Sequence, residues 1–498
     1  MRTIRTVIGH DWLLLTRNRS LWLLTGILVL TWAYALYYGQ AVMSKQHDTL
    51  TQLETLDNST KTAFRSLFQR THRPDTIRAD GNLLTSPLAT ESYLVNNVAV
   101  NTPSAWAALV IGQRDVWPQY RKVSGRSLFF DGNGVVLEEA YGEIMNPQRL
   151  VAGNFDWAFV LVYLLPLLII ALGYNVLSQE SELGTLPLLA MLPLPVWHLV
   201  AWRLLFRWSL VMGLVSVLTV VGLCLVGGSP IRETGTVIGW VGYLTLYTGF
   251  WFGLCFWVAA RRGTSAMNAL ALLAVWVAAL FIIPALVNAY TTLRYPVTNR
   301  VTLLDGLRET TDGLWAQPSP LTFGPFFAEF PQYKKTVPDL FTDADMQRMA
   351  TNPALRQFYA EKFFVWHHAL SRLVSGRYDA YAAGRVARYR AGDLWRWVNP
   401  AVTMQEALSE LAGSGYRQHE AFQRAVSQYH RQVMNYSNGL TFSAKPLTLA
   451  DYIRYPAFAL PPPSGDDTAS AARPLLVLSA LVWLIGWLSW RRQTNRPV

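Results

Sequence analysis

Two cysteines in 498 residues cannot build a disulfide framework. By position Cys224 falls near one end of an apolar run and Cys255 near the opposite end of the next, which places them in opposite leaflets, too far apart to pair. The long polar segments hold no cysteine, so they fold without staples. No GxxxxGK[ST] loop occurs, which excludes that way of cradling nucleotide phosphates. No Asp, Glu or Lys stands near the middle of a long apolar run, and proton- or sodium-coupled carriers commonly need one there. Internal repeats and long low-complexity tracts are missing. The first apolar run is too long for a leader and lacks a small-residue cleavage site, so no cleavable signal peptide is expected.

Catalytic constellations are equally sparse. His419-Glu420 opens like HExxH, but Gln423 stands at the second ligand position, so one helical face offers one imidazole. Asp343 and Asp345 have the spacing of a metal pair, yet sit at a helix start where acids favour the dipole. His367 and His368 are adjacent and cannot share a helical face. The chain is expected not to be an enzyme, with no catalytic residue, metal site or cofactor of its own. Asn58-Ser-Thr60 and Asn435-Tyr-Ser437 are glycosylation patterns only in a eukaryotic secretory pathway.

What is present is apolar residue in blocks: 51% of the side chains are hydrophobic, bunched over 21–38, 155–177, 199–226, 237–260, 266–290 and 474–490. Each run is long enough to cross a hydrocarbon core about 30 Å thick. The expected fold is an α-helical polytopic membrane protein: six transmembrane helices with two extracytoplasmic domains, the first α+β and the second mainly α. Its parts are a cytosolic interfacial helix over 1–20, spans over 21–41, 154–177, 199–226, 236–260, 265–290 and 474–490, and extracytoplasmic domains over 42–153 and 291–473. A cytosolic segment over 178–198 and a tail over 491–498 complete it. The net charge of +11 is explained by arginines flanking helices on one side: Arg2, Arg5, Arg17, Arg19, Arg203, Arg207, Arg261, Arg262, Arg491, Arg492 and Arg496. The positive-inside rule then puts both termini in the cytosol, and lipid, not nucleic acid, is the expected partner.

Within this plan, Ile4, Val7, Ile8, Trp12 and Leu15 form the apolar face of the interfacial helix. After Pro74 the pattern changes to turns and short strands, with a hairpin expected around Asp131-Gly-Asn-Gly134. Pro166 and Pro284 break the backbone ladder inside the second and fifth spans, and a carbonyl freed at depth requires a protein or water partner. These two helices are expected to face a partner or a pathway. Polar residues in the spans are few: Tyr163, Asn175, Tyr243, Tyr247, Asn268 and Asn288, which either bridge helices or line a route. Helical spacing recurs at Phe422, Val426, Tyr429 and Val433 and over 401–411 after Asn399-Pro400. Pro461-Pro462-Pro463 with Ser464 to Asp467 marks a linker.

The most telling stretch is 178–197, SQESELGTLPLLAMLPLPVW, between the second and third runs. Glu180 and Glu182 lie in its first turn, Gly184-Thr185 permits a change of direction, and Leu186, Leu188, Leu189 and Leu192 form an apolar face closed by Pro193 and Pro195. It is either an interfacial loop or a short helix offering its acidic end to something in the cytosol.

Glu180-Ser-Glu182-Leu-Gly184-Thr185-Leu186 after the second span, and Ala260-Arg-Arg-Gly-Thr-Ser-Ala-Met267 before the fifth, resemble the permease subunits of type-2 ATP-binding-cassette (ABC) exporters. Ile111-Gly-Gln-Arg-Asp115, Pro118, Asn146-Pro147, Gly153-Asn-Phe-Asp156 and the stretch from Leu411-Ala-Gly413 to Phe422 are similar to the subgroup with large external insertions, grouped with permeases for multicopper-enzyme maturation. The resemblance implies that the segment after the second span docks on a separate ATPase through Glu180, Glu182, Gly184, Thr185, Leu186, Arg261 and Arg262. It also implies ATP and Mg on that ATPase, not on this chain, and a dimer with a second permease copy or a sister permease in the bacterial inner membrane. The second and fifth spans would line the central route, through Tyr163, Pro166, Asn175, Asn268, Pro284 and Asn288. The size of the external segments suggests an alternative of another class, a mechanotransmission complex acting on a periplasmic partner while no cargo crosses. A membrane-anchored extracytoplasmic enzyme is the third and least supported alternative.

Overall fold

The computed structural model describes residues 2–71, 97–123, 154–191, 195–296, 300–338, 342–349, 351–443, 449–460 and 466–494. The expected hairpin around 131–134, Asn146-Pro147 and most of the 461–467 linker lie outside them. Six described helices are long and apolar enough to cross a membrane: Arg19–Ala63, Trp157–Glu182, Val196–Leu225, Thr234–Ala260, Ser265–Arg294 and Ala472–Arg492. They are called the first to sixth spans below, and the chain is mostly helical, in keeping with a multi-pass membrane protein.

The first span belongs to a continuous helix, Arg19–Thr71. No proline interrupts it until Pro74, and at 1.5 Å per residue it runs far beyond the hydrocarbon core. The preceding helix Arg2–Arg17 is fixed to the third span by a buried bidentate pair: Arg207 Nε and Nη2 donate to Asp11, the former at 2.8 Å. Trp12 meets Phe206 edge-on beside it.

The fourth and sixth spans pack along an extended seam. Gly249 and Gly253, four residues apart, leave a shallow strip on the fourth span, and Trp483 lies against it: a Cβ on Gly253 would come within 3.0 Å of the indole. Trp483 Nε1 donates to the Gly249 carbonyl at 2.9 Å and Trp490 Nε1 to that of Phe256 at 3.3 Å, so both indoles bury without losing a partner. One large core runs through the bundle, with Trp157, Leu161, Leu165, Trp240, Tyr247 and Trp251 among its fully buried members.

The two polar segments pack on each other. Strand β1 (Asn97–Val100) pairs antiparallel with β2 (Tyr120–Val123), Asn97 opposite Val123 and Val100 opposite Tyr120. Ala99 and Val123 from this ribbon share a buried cluster with Phe422, Val426, Tyr429 and Val433 of the helix Tyr416–Phe442. The chain between the strands crosses one end of the bundle, where Leu109 O accepts from Trp157 N at 3.0 Å and Ser104 donates to the Ala412 carbonyl at 2.6 Å. In the second segment the long helix Pro353–Asp393 packs against Arg300–Trp315 and Ser319–Glu329 around Leu307, Leu370, Phe323 and Phe326. The helix Pro400–Leu411 does not stay with these polar neighbours. Ala401, Met404, Ala407 and Leu408 make one apolar face and belong to the same core as the spans.

Candidate functional site

At the arginine-rich end, the stretch after the second span folds as two short helices, Ser178–Glu182 and Leu186–Ala190, instead of one. Gly184 sits between them with φ +73°, a conformation a side chain would strain, and a Cβ there would meet open space. The two acids make different contacts: Glu180 is half-buried against the third span, and Glu182 stays exposed while it reaches the fifth. Glu180 accepts from Arg203 Nη2 at 2.9 Å and from the Thr185 hydroxyl. Glu182 accepts from the Ser265 backbone amide at 2.6 Å and from its hydroxyl at 3.0 Å, which ties the segment to the first residue of the fifth span. Ser178 and Ser265 share a further hydroxyl contact at 2.8 Å. Leu186 packs on the bundle core. The segment's exposed surface mixes Gln179, Ser181 and Glu182 with large apolar side chains: Leu183, Leu188 and Met191 are exposed by 68%, 68% and 83%. Arg261 lies over the Trp257 ring at 4.2 Å, and Arg262 takes φ 53° in the tight turn before the fifth span.

The two proline-bearing spans share a local design. In the second, a π turn over Val160–Leu164 precedes Pro166; in the fifth, a π turn over Ala278–Ile282 precedes Pro284. Each proline removes an N–H, and side chains from other elements answer the carbonyls left behind. Tyr247 OH donates to Val162 O at 2.7 Å, Trp276 Nε1 to Tyr163 O at 3.0 Å, and Asn399 Nδ2 to Ala279 O at 2.7 Å. Asn399 is fully buried, and its Oδ1 also caps Pro400–Leu411 by accepting from Ala401 N and Val402 N.

The six residues read as a substrate path divide between the two ends. Asn175 is bonded to Gln179, and Asn268 donates to Tyr174 O, both at the arginine-rich end. Pro166 is buried in the bundle. Tyr163, Pro284 and Asn288 line cavities at the far end. Asn288 also accepts from Arg388 of the long helix at 3.2 Å.

Three cavities, of about 610, 580 and 800 Å³, open at that far end. All three are bordered by Tyr389 and Tyr416, whose rings stack at 4.2 Å. Asp156, fully buried, caps the second span: its Oδ1 accepts from Phe159 N at 2.8 Å and its Oδ2 from Ile111 N and Gly112 N at 2.9 and 3.3 Å. Burial pushes its carboxyl up to about 6 against the pull of those amides. Gly112, at φ +57°, lets the loop turn against Ser414, whose carbonyl would lie 2.9 Å from a Cβ. Arg396 pairs with Glu406 and with Asp393 and donates to Tyr389 OH at 3.0 Å. Burial raises the Glu406 carboxyl although Arg396 opposes it, and burial pushes the Tyr389 phenol up to about 12, with Glu406 adding to the shift.

Sequence reasoning missed Asp115, Tyr389, Arg396, Glu406 and Tyr416 as a group. The legible trace was the acid pair Glu406 and Glu410, four apart on the face of 400–411 opposite its apolar stripe. The residues that resemble catalytic motifs make contacts of their own. His419 stacks on Trp117 at 4.2 Å, and His368 lies 3.3 Å from Glu329. Asp345 accepts from the Thr342 amide and hydroxyl. Among the described residues no group of three His, Cys, Asp or Glu is placed to hold a metal.

No curated protein matches the chain. Residues 307–460, from inside the helix Arg300–Trp315 to the end of the segment after Tyr416–Phe442, match the family model of a domain of unknown function (DUF3526). That match contains Arg388, Tyr389, Asn399, Glu406 and Tyr416, so the far-end cavities and the tie to the fifth span are built in large part by the domain.

Proposed function

We propose that the chain is the membrane-spanning permease subunit of an ATP-driven ABC exporter in the bacterial inner membrane, both termini cytosolic, working as a dimer with a second copy or a sister permease. ATP and Mg are held by a separate ATPase that docks on the 178–198 segment. The observation that carries this reading is the double attachment of the fifth span. At its start Glu182 holds Ser265; at its middle and toward its far end Asn399 and Arg388 hold Ala279 and Asn288. A push on the cytosolic segment is thereby delivered to the first turn of a helix whose far half is bound to the outer domain. Docking falls to the exposed Glu182 with Leu183, Leu188 and Met191, while Glu180 braces the segment through Arg203 and Thr185.

Affinity purification of the tagged chain from its native membrane, with mass spectrometry and an ATPase assay on the eluate, tests it. Wild type is expected to bring a P-loop ATPase and hydrolyse ATP, and Leu188→Glu to lose both while still inserting. A chain that arrives alone and inert from several mild detergents overturns the reading and leaves 178–198 as an interfacial loop. The attachment of the fifth span to the outer domain also favours the second reading, in which the cycle moves that domain against a periplasmic partner. Purified complex in vesicles would then hydrolyse ATP in response to the partner and accumulate no solute.

A further inference from the structure

The cavity of about 610 Å³ at the far end has a composition unlike the rest of the chain. The protein carries a net charge of +11, yet this cavity is bordered by four carboxylates, Asp115, Asp156, Glu406 and Glu410, and by no Lys, Arg or His among its described lining residues. Two stacked aromatic pairs from separate elements also line it: Phe159 with Tyr163, centroids 4.6 Å apart, and Tyr389 with Tyr416 at 4.2 Å. Ring faces and carboxylates attract the same ligands, cations, and repel the same ones, anions. We propose that this cavity binds a small organic cation, an amine whose ammonium group meets Asp115 and whose carbon skeleton lies against the tyrosine and phenylalanine rings.

The four acids differ in how far the protein already accounts for them. Asp156 is taken up by three backbone amides, and Glu406 by Arg396. Glu410 accepts from Arg417 N at 3.2 Å. Asp115 is different: its Oδ1 is shut off from solvent and accepts no hydrogen bond among the described residues, and the same holds for Gln405 Oε1 on the helix Pro400–Leu411. A buried acceptor without a donor is costly, and both atoms belong to residues that line one cavity. An ammonium group is donor-only and supplies up to three N–H bonds, which suits an oxygen-rich wall. The volume argues for an organic ligand and against a bare ion. Several hundred cubic ångströms is the range of small-molecule sites, and no metal-holding trio is present among the described residues.

Binding at equilibrium does not depend on the transport reading, since the site would fill in the isolated chain with no ATPase present. The test uses the full chain purified in mild detergent and measures heat of binding and thermal shift with phenethylamine, with its neutral isostere phenethyl alcohol, and with the anion phenylacetate. Phenethylamine is expected to bind and raise the melting temperature, and the other two to leave it unmoved. Asp115→Asn should weaken the amine by about tenfold or more, the usual scale for losing one charge-assisted contact. Tyr416→Ala, which removes a ring but no charge, should weaken the amine severalfold and leave Asp115→Asn as the larger effect. Spermidine and tetramethylammonium extend the probes to longer and to donor-free cations. If none of the three cations binds at millimolar concentration, or if the alcohol binds as well as the amine, the proposal is wrong. Unchanged amine affinity in an Asp115→Asn protein whose unliganded melting temperature matches wild type overturns it equally.

Discussion

The second and fifth spans carry the same local device, a π turn followed by a proline, and use it in opposite surroundings. The second is 67% buried within the chain over its apolar window and the fifth 17%. The second is tied at its start to the loop over 109–112 and otherwise back into the bundle. Asp156 caps its start, Trp157 Nε1 reaches Thr219 on the third span, Tyr247 on the fourth answers Val162, and Arg203 and Arg207 take the carbonyls of Val176 and Leu172 at its end. The fifth span meets the second through Trp276 and Asn268 and adds ties that leave the bundle, at Ser265 to the 178–198 segment and at Ala279 and Asn288 to the domain beyond. Identical backbone defects thus serve a fixed post in one case and a link in the other. Which they serve is decided by where the capping side chain comes from, not by the proline.

This contrast predicts an order of effects. The largest should follow from Asp11→Ala, which strands Arg207 with its buried charge beside the end of the second span. Breaking one partner of a buried pair costs about 3–5 kcal/mol, so most of the protein should fail to survive a thermal ramp in detergent. A melting temperature within a degree or two of wild type would mean that the post is held by packing alone. Next comes Asn399→Ala. It removes a helix cap, worth about 0.5–2 kcal/mol, and leaves Ala279 O without its donor, about 1–3 kcal/mol more. Asn399→Ser separates the two contributions, since serine caps about as well as asparagine, adds no charge to a fully buried site and is too short to reach Ala279. If Ser restores stability, the cap was what mattered and the link to the fifth span is weak. If Ser is as damaging as Ala, the link carries the effect.

Tyr247→Phe is the matching change in the second span and keeps the ring while removing the donor to Val162. A loss of about 1–3 kcal/mol is expected, at or below that of Asn399→Ala because no cap is lost with it. The sharper readout is functional. The tyrosine change should lower stability with little effect on any ATP-dependent activity, and the asparagine change should lower both, because only the latter cuts the link.

Much of this was open to the sequence and some was not, for identifiable reasons. Six apolar runs foretold six helices because a bilayer demands an uninterrupted length of apolar residue. Pro166 and Pro284 announced freed carbonyls, since a missing N–H is a local chemical fact. Their partners, Tyr247 and Asn399, were out of reach because they are set by tertiary packing between segments 81 and 115 positions away from the prolines in the printed sequence. The ties of Glu180 to Arg203 and of Glu182 to Ser265 were hidden for the same reason: an acid in a short polar stretch has the same pattern whether or not another element answers it. The helix over 400–411 was legible, its entry into the bundle core was not, because an apolar stripe of Ala401, Met404, Ala407 and Leu408 fits a domain interior as well as a span. The far-end cavity left only scattered polar residues in the sequence, drawn from loop, span and three helices.

The smallest expected effect sharpens the contrast from the domain side. His419 is buried against Trp117, and burial, with Arg385 and Arg121 adding, holds its imidazole down to about 3 from an ordinary 6.5. The folded state therefore keeps it neutral, while the unfolded chain takes up a proton as pH falls below 6.5. By linkage, the stability contributed by the neutral ring is fully present above 6.5 and is lost progressively as pH falls toward 3. Between pH 7.5 and pH 6 the loss is about 1 kcal/mol, read as a fall in melting temperature that His419→Gln, which does not titrate, should flatten. Trp117 and His419 join the first polar segment to the second, which holds the fifth span through Asn399 and Arg388. Mild acid should therefore weaken protection of the 97–100, 120–123 and 416–442 amides in hydrogen exchange more than that of the second span beyond its first turn, which is held by the third and fourth spans. Equal loosening of both would mean that the two spans are not as differently anchored as their capping partners indicate.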